Sequence, residues 1–173
     1  GGYAPSTETT NDFKTRITNN SVTEATNAIK KRGLNNSYGC AYFPWVKVYD
    51  EINDKRVWVP PSVVAIGTFG SVERNSELWF APAGFTRGGL SEGSAGIPVL
   101  DVAHQLRRQD RDDLYSANIN PIAKFPAEGI VIFGQKTLQV TPSALDRINV
   151  RRLMIFVKKR ISQMASTILF DPN

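Results

Sequence analysis

The stretch "DRINVRRLMIFVKKRI", residues 146–161, sets six basic side chains beside a run of apolar ones. At helical periodicity the pattern extends into one helix from about Ser143 to about Ile168. Val150, Leu153, Met154, Val157, Ile161, Met164 and Ile168 recur every three or four residues as one stripe, expected to pack into the core. Asp146 falls in the first turn, where a carboxylate suits the positive end of the helix dipole. Ile155 and Phe156 lie off the stripe, and a helix apolar on a second side meets a second partner. Arg147, Arg151 and Lys158 follow one edge of the stripe, while Arg152 and Lys159 form a line on the far side. DNA recognition wants a helix presenting side chains to bases from an anchored position, but no helix-turn-helix signature precedes this one and stacking aromatics are missing. A membrane-surface helix would carry its apolar residues into lipid, whereas this stripe is better explained as core. A protein partner is the remaining reading.

The whole chain supports that choice. Its 173 residues, 41% apolar, suffice for one core, at most shared between two subdomains. The net charge of +5 is unevenly placed: residues 146–173 carry six basic and two acidic side chains, the rest fifteen and fourteen. A general nucleic-acid binder spreads basic residues and aromatics over a face, and this chain does not. No apolar run approaches the roughly 20 residues that cross a bilayer, so no membrane insertion is expected. Residues 1–10 have neither a basic start nor an apolar block, so no secretory leader is expected there. The first residue is not Met, which suggests a processed form or a piece of something longer.

Along the chain, residues 1–20 read as a polar surface segment and Val22 to Arg32 as a helix stopped by Gly33. "CAYFPWVKVYD", residues 40–50, reads as one strand in which Pro44 argues for an edge or a bulge. "INDK" is a turn into a second strand, "RVWVP". Pro60 and Pro61 suit the start of a glycine-containing helix over "SVVAIGTFGSVERN". Residues 81–98 read as a long connecting or functional loop. "VLDVAHQLRRQDRDDLYSANI", residues 99–119, reads as an amphipathic helix with Leu100, Ala103, Leu106, Leu114 and Ala117 on one side. "NPIAKFPAEG" then reads as a loop, "IVIFG" as a short buried strand and "QKTLQV" as a polar continuation or hairpin partner.

Chemistry is sparse. A single cysteine, Cys40, excludes an internal disulfide or a multi-cysteine metal site and reads as a buried, inert thiol. The only histidine, His104, reads as a solvated or core-edge residue, because no G-x-S-x-G nucleophile motif accompanies it. "GGLSEGSAG" lacks the Gly-Lys-Ser/Thr ending of a phosphate loop. No catalytic group, cofactor or metal is implied. Within residues 107–113, Asp110, Asp112 and Asp113 alternate with Arg107, Arg108 and Arg111. This is either a salt-bridged helix surface, worth about 0.2–0.5 kcal/mol per pair, or a charged contact with another subunit.

Several segments in order, "YFPWVKVYD", "VPPSVVAIGTFGSVERN", "WFAPAG", "QDRDDLYSANINPI", "EGIVIFGQKTL" and "SALDRINVRRLMIFVKKRISQMASTILFDPN", resemble the tail sheath proteins of contractile phages and related injection systems. The resemblance covers about residues 36–173 and is most specific in "INP", then G-x-K-T-L, then "DRINVRRL". It implies a mixed α/β (α+β) fold: the end of a subtilisin-like sheath domain without protease activity over residues 1–98, then a smaller C-terminal sheath domain over 99–173. It also implies a non-enzymatic subunit that polymerises helically around an inner tube and contracts to drive the tube through the host envelope. The implied partners are other sheath subunits, the tube protein, and baseplate and tail terminator proteins, in a virion assembled in the bacterial cytoplasm. The subunit or tube contacts would fall on Arg147, Arg151, Lys158, Arg152 and Lys159 and on the 107–113 face. Relatives continue past "LFDPN" into a strand-exchanging arm and begin with a larger N-terminal part, so this chain alone is expected to be mainly monomeric. A hydrolase-like α/β module or a nucleic-acid-binding module is the competing reading.

Overall fold

The computed structural model describes residue 15 and residues 21–169, so most of the expected surface segment 1–20 lies outside the described residues. Helix α1 (Val22–Lys31) starts where Ser21 Oγ accepts the Glu24 amide at 3.2 Å and the Glu24 carboxylate accepts the Ser21 amide in return. Gly33, at φ +59°, follows its end. The chain then enters β1 (Ala41–Phe43), passes a cis Phe43–Pro44 peptide and continues as β2 (Val46–Asp50). The expected single strand over 40–50 is therefore two, and Pro44 is where the chain leaves one sheet for the other. A turn leads to β3 (Lys55–Val59), antiparallel to β2.

Helix α2 (Pro61–Asn75) opens on Pro61 as expected. Its Gly67 lies so close to the Ala95 carbonyl that a Cβ there would sit 2.0 Å from the oxygen. The glycine thus serves close packing, and the helix survives its low propensity. Residues 81–98 contain the short α3 (Gly84–Arg87) and a segment that pairs with the next sheet: Leu90 N–H donates to Ile130 O at 2.8 Å, and Ile132 N–H to Gly88 O at 2.8 Å. Leu90 is fully buried. The connection is a packed cover for a sheet edge rather than an open loop.

Two further expectations fail for identifiable reasons. Residues 99–119 are not one helix: β4 (Val99–Val102) pairs with β2, and only α4 (Arg108–Ser116) is helical. Val99 and Val102 are both buried because the register against β2 shifts between Lys47 and Val48. Leu100, which opened the expected stripe, points to solvent from β4 at 43% exposure, so its helical spacing to Ala103 and Leu106 is coincidental. "NPIAKF" is not a loop but most of β5 (Ile119–Phe125), whose first five residues are buried. Pro121 is tolerated because β1 ends opposite it, at Phe43, so its missing amide interrupts no further ladder. The buried strand expected at "IVIFG" is β6 (Gly129–Ile132).

The sheets are β1-β5-β6, with β1 parallel and β6 antiparallel to β5, and β3-β2-β4. Both draw strands from either side of residue 98. Val46, Val48, Val64, Leu90, Val99, Val102, Ile122, Ile130 and Ile132 form the main core. A second cluster, Phe43, Leu106, Leu114, Ala117 and Ile119, lies under α1 and α4. His104 stacks on Phe43 at 5.7 Å, a core-edge histidine, whereas Cys40 is exposed rather than buried.

The terminal helix α5 (Ile148–Leu169) follows a short 3-10 turn at Ala144–Asp146. Its stripe is not core. Only Ile148 is buried, Val150 and Leu153 are half-buried, and Met154, Val157, Ile161, Met164 and Ile168 are exposed, Ile168 by 72%. The periodicity is real, but from Met154 onward the stripe is exposed among the described residues. Ile122→Ala and Leu114→Ala are each expected to lower stability by about 2–5 kcal/mol, and Ile161→Ala in the isolated chain by less than about 0.5 kcal/mol, in urea unfolding. A large loss for Ile161→Ala would show that the stripe is covered within one chain.

Candidate functional site

The base of α5 is held by a buried polar junction. The Asn120 side chain, wholly buried on β5, donates Nδ2 to Ala41 O at 3.1 Å and to Lys136 O at 2.8 Å, and accepts the Lys136 amide on Oδ1 at 2.6 Å. It thereby ties β1 and β5 to the extended segment 135–138. Gly134 makes room for it: a Cβ there would lie 3.0 Å from Asn120 Oδ1 and from Pro121 Cδ. The tied segment in turn grips the start of α5. Thr137 N–H donates to Asp146 O at 2.8 Å, its buried hydroxyl lies 3.1 Å from the same oxygen, and Ile148 N–H donates to Gln135 O at 2.8 Å. On the other side Leu138 N–H donates to Gly39 O at 2.9 Å. The "INP", G-x-K-T-L and "DRINVRRL" segments are thus one structural unit that aims the terminal helix.

Three of the expected contact residues belong to this base. Arg147 hydrogen-bonds the Tyr115 hydroxyl on α4, which raises its pKa, and pairs with Asp146 at 3.6 Å. Arg151 donates to Ser37 Oγ and, at 3.2 Å, to the Tyr38 hydroxyl, with its guanidinium 4.2 Å from the Tyr38 ring centre. Arg152, its side chain only 15% exposed, donates to Phe69 O on α2 at 3.3 Å and lies 3.8 Å from Glu73. Burial lowers its pKa, and the Glu73 carboxylate opposes that shift. Arginine suits such positions because its planar fork keeps its charge while bonding and stacking at once. Lys158 and Lys159 are exposed and take part in no ion pair among the described residues.

The 107–113 face behaves differently from a salt-bridged surface. Asp110 accepts the Arg107 amide at 2.9 Å and so caps α4, and Asp113 accepts from Gln109 at 3.0 Å. Arg111 covers the Phe125 and Phe133 rings at 5.2 and 5.8 Å. No ion pair joins these residues to one another among the described residues. Arg107, Arg108, Asp112 and Asp113 are exposed, and this face and α5 are linked through Tyr115 and Arg147. Sequence reasoning missed Asn120, Thr137, Tyr115, Tyr38 and Ser37. Polar residues inside "NINP" and G-x-K-T-L were the signal available, since buried polar groups need partners.

No family model matches the chain. Named relatives do. Over 125 residues, 72% of this chain, it is 42% identical to the tail sheath protein of Vibrio phage KVP40 and 36% identical to that of Enterobacteria phage T4. It is 34% identical over 129 residues to that of Salmonella phage ViI. Its fold matches a chain of the anti-feeding prophage (AFP) sheath in the contracted state with a TM-score of 0.63 and 26% identity, covering 80% of this chain and 36% of that one. The contracted sheath complex of an extracellular injection system, PVC, gives a TM-score of 0.69 at 24% identity, covering 89% of this chain and 40% of that one. By sequence and fold the chain belongs to the contractile tail sheath family. It spans about a fifth of the length of the curated relatives it matches, 18% for the first two. These relatives give no support to the hydrolase-like or nucleic-acid-binding alternatives.

Asn120→Leu is expected to cost about 3 kcal/mol or more, because Ala41 O, Lys136 O and the Lys136 amide lose their partner together. Gly134→Ala should cost about 1–3 kcal/mol by crowding the same carboxamide. Denaturant midpoints measure both, and an unchanged midpoint for Asn120→Leu contradicts the junction.

Proposed function

We propose that this chain is part of a structural subunit of a contractile tail sheath. In the full-length protein it polymerises helically around an inner tube and contracts to drive that tube through the host envelope. The observation that carries the reading is the 42% identity over 125 residues to a named tail sheath protein. The subunit acts by packing, not catalysis, and needs no cofactor. It is a virion component built in the host cytoplasm, and its partners are other sheath subunits, the tube protein, and baseplate and terminator proteins. The assignment of residues 1–98 to the end of a subtilisin-like domain and of 99–173 to a C-terminal domain belongs to the same proposal.

The physical support is a division of labour along α5. Arg147, Arg151 and Arg152 hold the helix to its own core, so they set its direction and reach partners only indirectly. Lys158 and Lys159 stand beyond that base, and with the exposed Arg107, Arg108, Asp112 and Asp113 they offer charges for contact with the tube or a neighbouring subunit. Asp110 acts on that face chiefly as a cap. Solvent-accessible ion pairs are worth about 0.2–1 kcal/mol each, which suits contacts that form in large numbers and must rearrange on triggering. The test is electron microscopy of the full-length protein expressed with its tube. Hollow cylinders are expected from the wild type. Lys158→Glu with Lys159→Glu should fold by circular dichroism yet assemble poorly or out of register. Failure of the wild type to form cylinders overturns the sheath reading.

A further inference from the structure

Two surfaces of the chain are built, exposed and unexplained by its own packing. The first is the tip of the β2–β3 hairpin, residues 49–54. Ile52 is 95% exposed there, beside the half-exposed Tyr49 and between the acids Asp50, Glu51 and Asp54. The tip is rigid. Asp50 Oδ1 accepts the Ile52 amide at 3.1 Å and the Asn53 amide at 3.3 Å, and its Oδ2 accepts from Asn53 Nδ2 at 2.7 Å. Tyr49 donates its hydroxyl to Asp54, which turns the chain at φ +50°. An isoleucine held in water on such a turn is an apolar knob with acids at its tip, Lys55 and Arg56 entering only below it, opposite Asp50 and Tyr49.

The second surface is its complement. Met154, Val157, Ile161, Met164 and Ile168 make one exposed stripe on α5, and residues 148–169 contain no acidic side chain. At 100° per residue Lys158 and Arg160 fall on opposite sides of that stripe, each about 70–90° from its centre. The face is an apolar stripe with positive rims. Those rims favour an acidic partner over a second α5.

We propose that the Ile52 tip of one copy seats on the Val157–Met164 stretch of α5 in the next copy, with Asp50, Glu51 and Asp54 facing Lys158 and Arg160. The proposal rests on the sheath reading and names one of its subunit contacts. Knob and stripe are different surfaces, so the contact is heterologous. Such contacts do not pair off but propagate, and where the rotation does not close they build open helical polymers. A preformed knob loses little conformational freedom on binding, which favours a contact small in area.

The test places a photo-crosslinking amino acid at position 52 of the full-length protein, where 95% exposure keeps the substitution harmless to folding. Polymers are imaged, irradiated and mapped by mass spectrometry. The expected product joins position 52 of one copy to residues 154–168 of another. Glu51→Lys should lower its yield about fivefold, the scale of one surface ion pair, and Lys158→Glu with Arg160→Glu opposite the wild-type tip should lower it further. Polymers whose cross-links fall on the tube protein, on the same chain or on another part of the neighbour overturn the contact and leave the sheath reading intact. Absence of polymers overturns both.

Discussion

A buried carboxamide holds this chain in its working shape. Asn120 lies on β5 where no water reaches it, and its three hydrogen bonds join β1, β5 and the extended segment before the terminal helix. β1 is only three residues long, too short to define a sheet edge alone. The segment 135–138 makes only isolated bridges, Asn36 with Leu138 and Lys136 with Arg147. Side-chain bonds therefore do what a regular ladder does elsewhere. Each neutral bond contributes modestly, but leaving several buried partners unpaired is expensive, which makes the junction cooperative.

The direction of α5 follows from it. Backbone bonds from Gln135 and Thr137 fix the first turn, and arginines reach out to Tyr115, Tyr38 and Phe69 like guy lines in three directions. Trp79 against Phe156, at 5.4 Å, is a further aromatic contact along the helix. From Val157 onward every described residue of the helix is exposed. Thirteen residues of helix with an uncovered apolar face gain little stability in isolation. The same features that leave this half uncovered within one chain suit the proposed polymer: apolar area is available, the rims are basic, and the base holds the angle. Lysine at 158 and 159, flexible and strongly hydrated, suits a surface contact as arginine suits the base.

Much of this was legible in the residues. The α1, α2 and α5 helices carried cap, proline and periodicity signals, and the ordered segments resembling sheath proteins carried the family. What failed did so where tertiary context overrode a local pattern. Leu100 on β4 happened to continue the apolar spacing of the α4 region, and a proline opposite the end of a short parallel strand disguised β5 as a loop. The apolar stripe of α5 had the right period, but periodicity reports which face seeks burial and not which molecule supplies it. Among the expected contact residues, Arg147 and Arg151 follow one edge of the stripe and Arg152 lies on the far side, yet all three also have partners in distant segments that spacing alone does not reveal.

Hydrogen exchange along α5 tests the central claim, that the helix is anchored at its base and completed by assembly. In the isolated chain, amides of residues 151–154 should be protected and those of 160–169 should exchange rapidly. In the assembled full-length protein both stretches should be protected. Equal protection along the helix in the isolated chain, or rapid exchange at 160–169 that persists after assembly, contradicts the account.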